Sequence, residues 1–286
     1  MADTQATIYA QAYSRNIMQL AQQKYAMLMN SVYMKPNVNG KTFYQDQIGQ
    51  WSMQTKAGRN VSTPNNDPNL ARRMATMIDY HDNRLLDRGD ELRVISDPRS
   101  AYTIAAAQAL GRQIDDVIIA AATGTAYSGE TGSTSVTLGS GQIVAATTTG
   151  LTLAKVTEAK KILDKADVDQ EERYFIYSPD ALEDLLNVEQ ATSSDYNTVK
   201  ALVRGEINTW MGFTWIMSNR LSEVASGTRS CIAFQKYGIC AAMADQPLVR
   251  TDERSDLSYS WQVYYELNIG AVRLEEERVV RVDINE

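Results

Sequence analysis

Three clusters of acidic residues are the part of this sequence best suited to chemistry, because neighbouring carboxylates can hold a divalent metal or act as acid and base. Arginines lie within or directly after each cluster, so surface ion pairs are the more ordinary interpretation. At a boundary between subunits, such charges would fix register and partner choice more than affinity. The clusters are Asp87, Asp90 and Glu91, with Arg84 and Arg88; Asp252, Glu253 and Asp256, with Arg250 and Arg254; and Glu275, Glu276 and Glu277, with Arg278 and Arg281.

Histidine and cysteine, the other residues that commonly carry chemistry, are scarce. The chain has one histidine, His81, which removes most histidine-based metal and acid–base sites. Cys231 and Cys240 lack the spacing of a redox or zinc pair, and we expect both to be small core residues. We therefore expect no catalytic residue, no cofactor and no metal.

A short glycine-containing stretch, Gly40-Lys41-Thr42, is similar to the end of a phosphate-binding loop. That motif requires a glycine five residues earlier, where this chain has Lys35, and a helix after it. The residues that follow alternate as a strand does, so we reject a nucleotide site here.

Composition and charge narrow the class of protein. The chain has 286 residues, 44% of them hydrophobic, enough for one large domain or two ordinary ones with a real core. Its net charge of -7 argues against a sequence-reading nucleic-acid binder, which usually has a basic face. No apolar stretch approaches the ~18 residues of a membrane span, and the N-terminus lacks a signal pattern.

Residues 40–92 predict a long β-hairpin with no core of its own. One limb, residues 41–54, carries Phe43, Ile48, Trp51 and Met53, and the return limb, residues 74–81, alternates in the manner of a strand. The tip between them is rich in Gly, Pro and Asn. Since an isolated hairpin is marginal in water, exposed aromatic residues on it indicate that a partner supplies the missing surface. This favours assembly over catalysis.

The elements around this hairpin predict an α+β fold. A long helix at residues 98–122 begins after the N-cap Asp97 and ends before Gly124. Residues 13–32 carry a helical stripe that is either a helix docked on the core or an arm that reaches a partner. Further helices are predicted at residues 152–166 and 178–187. Strands are predicted at residues 174–177, 212–218, 231–234, 238–243 and 279–284, and the strongest alternation covers residues 259–271.

This order of parts resembles the major capsid protein of tailed double-stranded-DNA bacteriophages, which has the Hong Kong 97-like fold. The resemblance covers almost the whole chain. It depends on the order of an arm, a long loop and a capped helix with a Gly/Ser/Thr-rich loop behind it. It also depends on the Gly212-Phe213-x-x-x-x-Ser218-Asn219 segment and on the closing segment Leu274-Glu-Glu-Glu-Arg278-Val-Val-Arg281-Val-Asp283.

The resemblance implies a phage capsid fold in five parts. Residues 1–33 would be an N-terminal arm or helix, and residues 34–92 the extended loop that lies over an adjacent subunit. Residues 93–195 would be the peripheral domain, with its spine helix at 98–122. Residues 196–256 would form the axial domain around the five- and six-fold axes, and residues 257–286 would return to the peripheral domain.

The implied function is that of a major capsid subunit. It would assemble with copies of itself into pentamers and hexamers of an icosahedral head that encloses double-stranded DNA without sequence-specific binding. Assembly in the host bacterial cytoplasm would precede residence in the virion. A separate scaffolding protein and a portal are expected as partners, and the family also allows a decoration protein. The candidate intersubunit contacts are Phe43, Trp51, Ile78, Tyr80, Arg84, Asp87, Arg88, Asp90 and Glu91.

Two alternatives remain at this point. An encapsulin, a bacterial nanocompartment shell with the same fold, would differ in its cargo and not in its architecture. A soluble enzyme that uses Asp87, Asp90 and Glu91 is the weaker alternative, because the sequence lacks histidine, phosphate-loop and metal-ligand patterns.

Overall fold

The structure is a computed structural model that describes residues 22–63, 65–86, 99–187, 208–244 and 247–286. Contacts divide the chain into two units. The first contains Met1–Ala26, Asp79–Arg112 and Gln246–Leu267, and the second contains Met27–Ile78, Gln113–Asp245 and Asn268–Glu286. Helices and sheets both contribute, so the predicted α+β class is confirmed.

The secondary structure is dominated by strands, with three α-helices among the described residues. The helices are α1 (Arg99–Thr123), α2 (Leu153–Lys165) and α3 (Pro179–Asn187). The strands are β1 (Tyr33–Lys35), β2 (Thr42–Ile48), β3 (Leu70–Thr76), β4 (Ile78–Leu86), β5 (Ala126–Ser128), β6 (Thr134–Val136), β7 (Ile143–Val144), β8 (Arg173–Tyr177), β9 (Thr209–Trp210), β10 (Phe213–Met217), β11 (Glu223–Ala225), β12 (Thr228–Gln235), β13 (Ile239–Met243), β14 (Leu248–Arg254), β15 (Ser260–Arg273) and β16 (Val279–Asn285).

The first unit is built on the amino-terminal part of β15. Strand β14 pairs with it antiparallel, from Leu248 opposite Glu266 to Arg254 opposite Ser260, and β4 also pairs with β15. The alternation predicted over residues 259–271 is therefore confirmed as one long strand. A second strand, β14, precedes it. The sequence did not predict this strand, because its charged residues obscure any apolar alternation.

A four-stranded antiparallel sheet in the second unit contains the hairpin, in the order β2-β3-β5-β6. Strands β2 and β3 pair from Thr42 opposite Thr76 to Ile48 opposite Leu70. The predicted hairpin is thus confirmed, but its return limb ends at Thr76. The amide of Met77 donates to the carbonyl of Lys41, and the next residues enter β4. The prediction of one continuous strand over residues 74–81 is wrong because Met77, which is buried, closes the hairpin at its base.

The core of the second unit is a sheet in the order β7-β16-β12-β8-β10-β9, with β11 beside β12. Strand β12 lies between β16 and β8, and most of its side chains are buried, as expected for a strand covered on both faces. Helix α2 packs against β16 and β7 through Val156, Ala159 and Leu163. It begins at Thr152, whose hydroxyl accepts from the amide of Lys155 as an N-cap.

Strand β13 pairs with the carboxy-terminal part of β15, in the same sheet as β14 and β4. It pairs antiparallel with residues 269–273 and parallel with β1. Strand β16 lies instead in the sheet of β8 and β10. Of the predicted closing segment, residues 257–267 belong to the first unit and residues 268–286 to the second.

Helix α1 matches the predicted long helix in length and position. Its 25 residues rise about 37 Å, and Leu110, Ile114 and Ile118 are buried at the spacing of one helical face. It ends where Gly124 donates to the carbonyl of Ala120. A side chain at Gly124 would place Cβ 2.6 Å from that oxygen. The predicted N-cap, Asp97, lies outside the described residues.

Residues 22–32 contain no helix, which corrects part of the predicted helix at 13–32; the rest of it lies outside the described residues. The Asp115 carboxylate, which is fully buried on α1, accepts from the amides of Met27 and Leu28 at 3.0 Å each. A backbone that bonds to a side chain in this way cannot also continue as a regular helix, and the apolar stripe instead buries Leu28 and Val32.

Both cysteines are free and buried, in β12 and β13, as predicted. Burial raises the pKa of the Cys231 thiol to about 12 and that of the Cys240 thiol to about 11. Thiols of the unfolded chain ionise near their ordinary pKa of 9.0. The neutral thiols therefore contribute stability that is fully present below that pH and is lost as the pH rises toward the folded values.

We expect the free energy of unfolding to fall with pH above about pH 9 by about 1.4 kcal/mol per pH unit for each cysteine. Urea unfolding of the unassembled subunit at a series of pH values would measure this slope. The Cys231→Ala/Cys240→Ala variant should show a shallower dependence. Equal slopes in the two proteins would contradict the assignment to the thiols.

Candidate subunit interface

The base of the hairpin is part of the chain's own core. Phe43 is 4% exposed, and it clusters with residues of β3, β13 and β15. Phe43 was predicted to be an exposed contact, and that prediction is wrong. Odd-numbered residues of β2 and β3 share one face of the hairpin, and at its base that face is covered by this chain itself. The cluster contains Phe43, Ala75, Met77, Ala126, Cys240, Ala242, Val272 and Leu274.

Polar contacts continue this attachment one step farther along the hairpin. The buried Arg73 of β3 donates from Nε to the Leu274 carbonyl at 2.8 Å and from Nη2 to Glu276 Oε2 at 2.6 Å. Gln47 of β2 donates to the same Leu274 carbonyl at 2.9 Å. Within the described part of the chain, these are the polar contacts nearest the tip that join β2 or β3 to the β15–β16 turn.

The turn that receives these bonds is itself fixed by Arg273. Its guanidinium is fully buried and donates from Nη1 to the carbonyls of Ala122 and Gly124 and from Nη2 to that of Val136. Its Nε lies 3.5 Å from Glu276 Oε1. Burial lowers the pKa of Arg273, and the charge of Glu276 opposes that shift.

Beyond these contacts the hairpin exposes large apolar side chains. Ile48 and Leu70, which face each other across β2 and β3, are 74% and 72% exposed. Trp51 is 72% exposed and Met53 fully exposed. We call residues 49–69, together with the Ile48–Leu70 pair, the distal hairpin. Trp51 is where the sequence predicted an exposed residue, whereas Leu70 was missed although it stands opposite Ile48 in the alternation.

Hydrogen bonds hold the two limbs of the distal hairpin together. The amide of Gly49 donates to the Asn69 carbonyl at 2.7 Å, and the Asn66 side chain donates to the Ser52 carbonyl at 3.0 Å. Large apolar side chains exposed to water on a hydrogen-bonded loop are typical of a surface that another molecule covers.

The remaining predicted contacts fall in or after β4. Ile78 begins β4 and is about half exposed, Tyr80 is partly buried, and Arg84 is exposed with its guanidinium carbon 5.9 Å from the centroid of the Tyr102 ring. Such a cation–π contact within the chain leaves Arg84 only partly available to a partner. The other four, Asp87, Arg88, Asp90 and Glu91, lie outside the described residues.

The acidic clusters that the structure describes form ion pairs. Arg254 pairs with Asp256, Arg278 with Glu275, and Arg73 with Glu276. Within the described residues, no group of His, Cys, Asp and Glu side chains could hold a metal ion. None of the helices in that part of the chain is long and apolar enough to cross a membrane.

Comparison with known proteins identifies the family. The model of the phage capsid protein family matches residues 5–286. The chain belongs to the phage capsid protein family. No curated protein matches the sequence. Membership of this family indicates a structural role in the virion, and it does not favour the encapsulin alternative.

Solved structures share the fold of this phage capsid protein at low sequence identity. A chain of Mycobacterium phage Che8 is 16% identical, with a TM-score of 0.73 over 96% of this chain and 97% of that one. The capsid of cyanophage P-SCSP1u gives 17% identity and a TM-score of 0.73, over 96% and 93% of the chains. The capsid of a native GTA particle gives 11% identity and a TM-score of 0.74, over 100% and 98%. The predicted Hong Kong 97-like fold is confirmed.

The contrast between Phe43 and Trp51 is testable in the unassembled subunit. Because Phe43 is buried in the core, Phe43→Ala should lower the free energy of unfolding by about 3–5 kcal/mol. Trp51→Ala removes an exposed ring and should change it by no more than about 0.5 kcal/mol. Urea unfolding measures both, and equal losses would contradict the division of the hairpin into a buried base and an exposed end.

Proposed function

We propose that this phage capsid protein assembles with copies of itself into pentamers and hexamers, which close into an icosahedral head around double-stranded DNA. The observation that carries the proposal is a hairpin with a buried base and an apolar end. The base of the hairpin packs in the chain's own core. Beyond it, the side chains of Ile48, Trp51, Met53 and Leu70 are exposed to solvent. A second copy of the chain is the partner that a homopolymeric shell always provides.

Many modest contacts of this kind are sufficient for a shell. A stable interface buries about 800 Å² per partner, and aromatic side chains at its centre contribute most of the binding energy. Trp51 is the natural anchor of such a contact. Ile78, Tyr80 and Arg84 remain candidate contacts, together with Asp87, Arg88, Asp90 and Glu91, while Phe43 is withdrawn.

The same proposal assigns a role to each segment of the chain. Residues 34–92 supply the extended loop, residues 93–195 the peripheral domain with its spine helix, and residues 196–256 the axial domain. The arm at residues 1–33 and the closing residues 257–286 complete the subunit. The described strands suggest one refinement: β16 pairs with β12, so the closing residues also support the sheet around β8 and β10.

The proposed partners follow from the function. A separate scaffolding protein and a portal would act during assembly in the host bacterial cytoplasm, and a decoration protein would bind the finished shell. The net charge of -7 is consistent with a shell that encloses DNA without binding it tightly, because like charges repel the phosphate backbone.

Electron microscopy of the purified protein tests this function. We expect closed shells or sheets of hexamers, and a uniform population of small monomers under assembly conditions would reject the proposal.

Deletion of residues 55–69 should give a subunit that folds and assembles poorly, because the tip is removed while the buried base stays intact. Circular dichroism and thermal unfolding would verify folding, and electron microscopy would count shells. The full-length Trp51→Gln/Met53→Gln variant tests the exposed side chains without shortening the loop. Val224→Gln, at another exposed apolar residue, serves as the matched control. Unchanged assembly of the deletion variant would reject the role of the distal hairpin.

A further inference from the structure

We propose that Arg73 and Glu276 act as a latch that sets the direction in which the hairpin leaves the subunit, and thereby the curvature of the shell. The inference depends on the proposed function, because curvature has meaning only for a subunit whose hairpin reaches another copy. Arg73 and Glu276 are positioning residues in this proposal and need not touch the neighbouring subunit themselves.

Two adjacent arginines on β3 show why Arg73 is singled out. Arg72 pairs with Asp46 of β2, so its ion pair joins the two strands of the hairpin and stays within it. Arg73 points to the opposite face, is 8% exposed and bonds to Leu274 and Glu276 outside the hairpin. Only the second pair can fix the hairpin against the rest of its unit.

The latch also lies near the point where the hairpin leaves the core, so a small rotation there would move the far end of the hairpin over a long distance. The apolar contacts of the hairpin base end near Phe43 and Ala75, and the exposed pair Ile48–Leu70 lies just beyond Arg73. The roughly ten residues in each limb beyond that point span at most about 35 Å. At that reach, a rotation of about 10° at the latch moves the end by about 6 Å, which exceeds the width of a side-chain contact.

The carboxylate side of the latch is attached to the end of α1 through Arg273. Glu276 Oε1 lies 3.5 Å from Arg273 Nε, and the Arg273 guanidinium donates to the carbonyls of Ala122 and Gly124 at the end of α1. Glu276 therefore lies between Arg273 and Arg73, and the Leu274 carbonyl provides a second contact from the same turn to the hairpin. Strand β3 also pairs with β5 at Arg73 and Met74, so these side chains act together with the sheet in orienting the hairpin.

The energetics indicate a role in orientation more than in stability. Among the described residues, Arg73 Nη1, Arg273 Nε and Glu276 Oε1 are buried without a hydrogen-bond partner. A buried ion pair that is incompletely bonded stabilises little, and an apolar pair of similar size is often as stable or more so. Loss of the latch should therefore change the direction of the hairpin more than the folding of the subunit.

The test replaces both members of the pair with apolar residues of similar length, Arg73→Met/Glu276→Met. The matched control, Arg72→Met/Asp46→Met, removes the neighbouring ion pair that stays within the hairpin. Three measurements are made on each protein: the melting temperature of the subunit, hydrogen exchange of the β2 amides, and the distribution of shell diameters in electron micrographs.

We expect the latch variant to keep a melting temperature close to that of the wild type, to exchange its β2 amides about tenfold faster, and to form shells of mixed diameter or open sheets. The control should keep wild-type exchange beyond residue 46 and uniform shells. Shells of wild-type diameter from the latch variant would overturn the proposal.

Two further outcomes remain informative. If the double variant fails to fold, Arg73→Lys and Glu276→Gln keep side-chain size and lose the two-point contact, and uniform shells from both would overturn the proposal. If the wild-type protein forms no shells, the proposed function fails. Hydrogen exchange of the β2 amides would still show whether Arg73 and Glu276 hold the hairpin in place. Faster β2 exchange in the variant alone would support the latch, and unchanged exchange would overturn it.

Discussion

A single buried guanidinium holds together the segments from which the hairpin extends. Arg273 donates to carbonyls at the end of α1 and in β6. It also lies beside Glu276, the carboxylate that receives Arg73. Each of these elements therefore constrains the others. The hairpin can extend because its base is fixed here.

The charge distribution divides the surface of the chain into protected and available parts. Strand β14 ends its sheet among the described strands, and four of its seven residues are charged: Arg250, Asp252, Glu253 and Arg254. Charges on an edge strand discourage the addition of further strands. The distal hairpin has the opposite character, because its apolar side chains are exposed and the ion pair of Arg72 with Asp46 lies nearer the base. Exposed apolar side chains therefore favour contact at the hairpin, whereas the charges disfavour strand addition at β14.

Periodicity predicted most of the regular elements, including α1, α2, α3, β10, β15 and β16, because each repeats its apolar residues at the spacing of a helix or a strand. It failed where a single tertiary contact decides the conformation. The buried carboxylate of Asp115 draws residues 27 and 28 out of a helix, and Met77 interrupts an alternation that continues on both sides. It also failed for Phe43, since alternation places a side chain on a face without saying what covers that face. The latch residues, Arg73 and Glu276, looked like ordinary surface charges, and no sequence signal distinguishes them from Arg72.

Burial of Cys231 and Cys240 has a practical consequence for chemistry on the assembled particle. These are the chain's two cysteines, and both thiols stay protonated and out of reach of solvent. A cysteine introduced at a solvent-exposed position would therefore be the sole reactive thiol of each copy, with no need to remove the natural ones. Positions on the exposed faces of β11 or β14 would carry a fluorophore, a metal cluster or a peptide at one defined point per subunit. A closed shell would then display that group in a repeating array whose spacing is fixed by its symmetry.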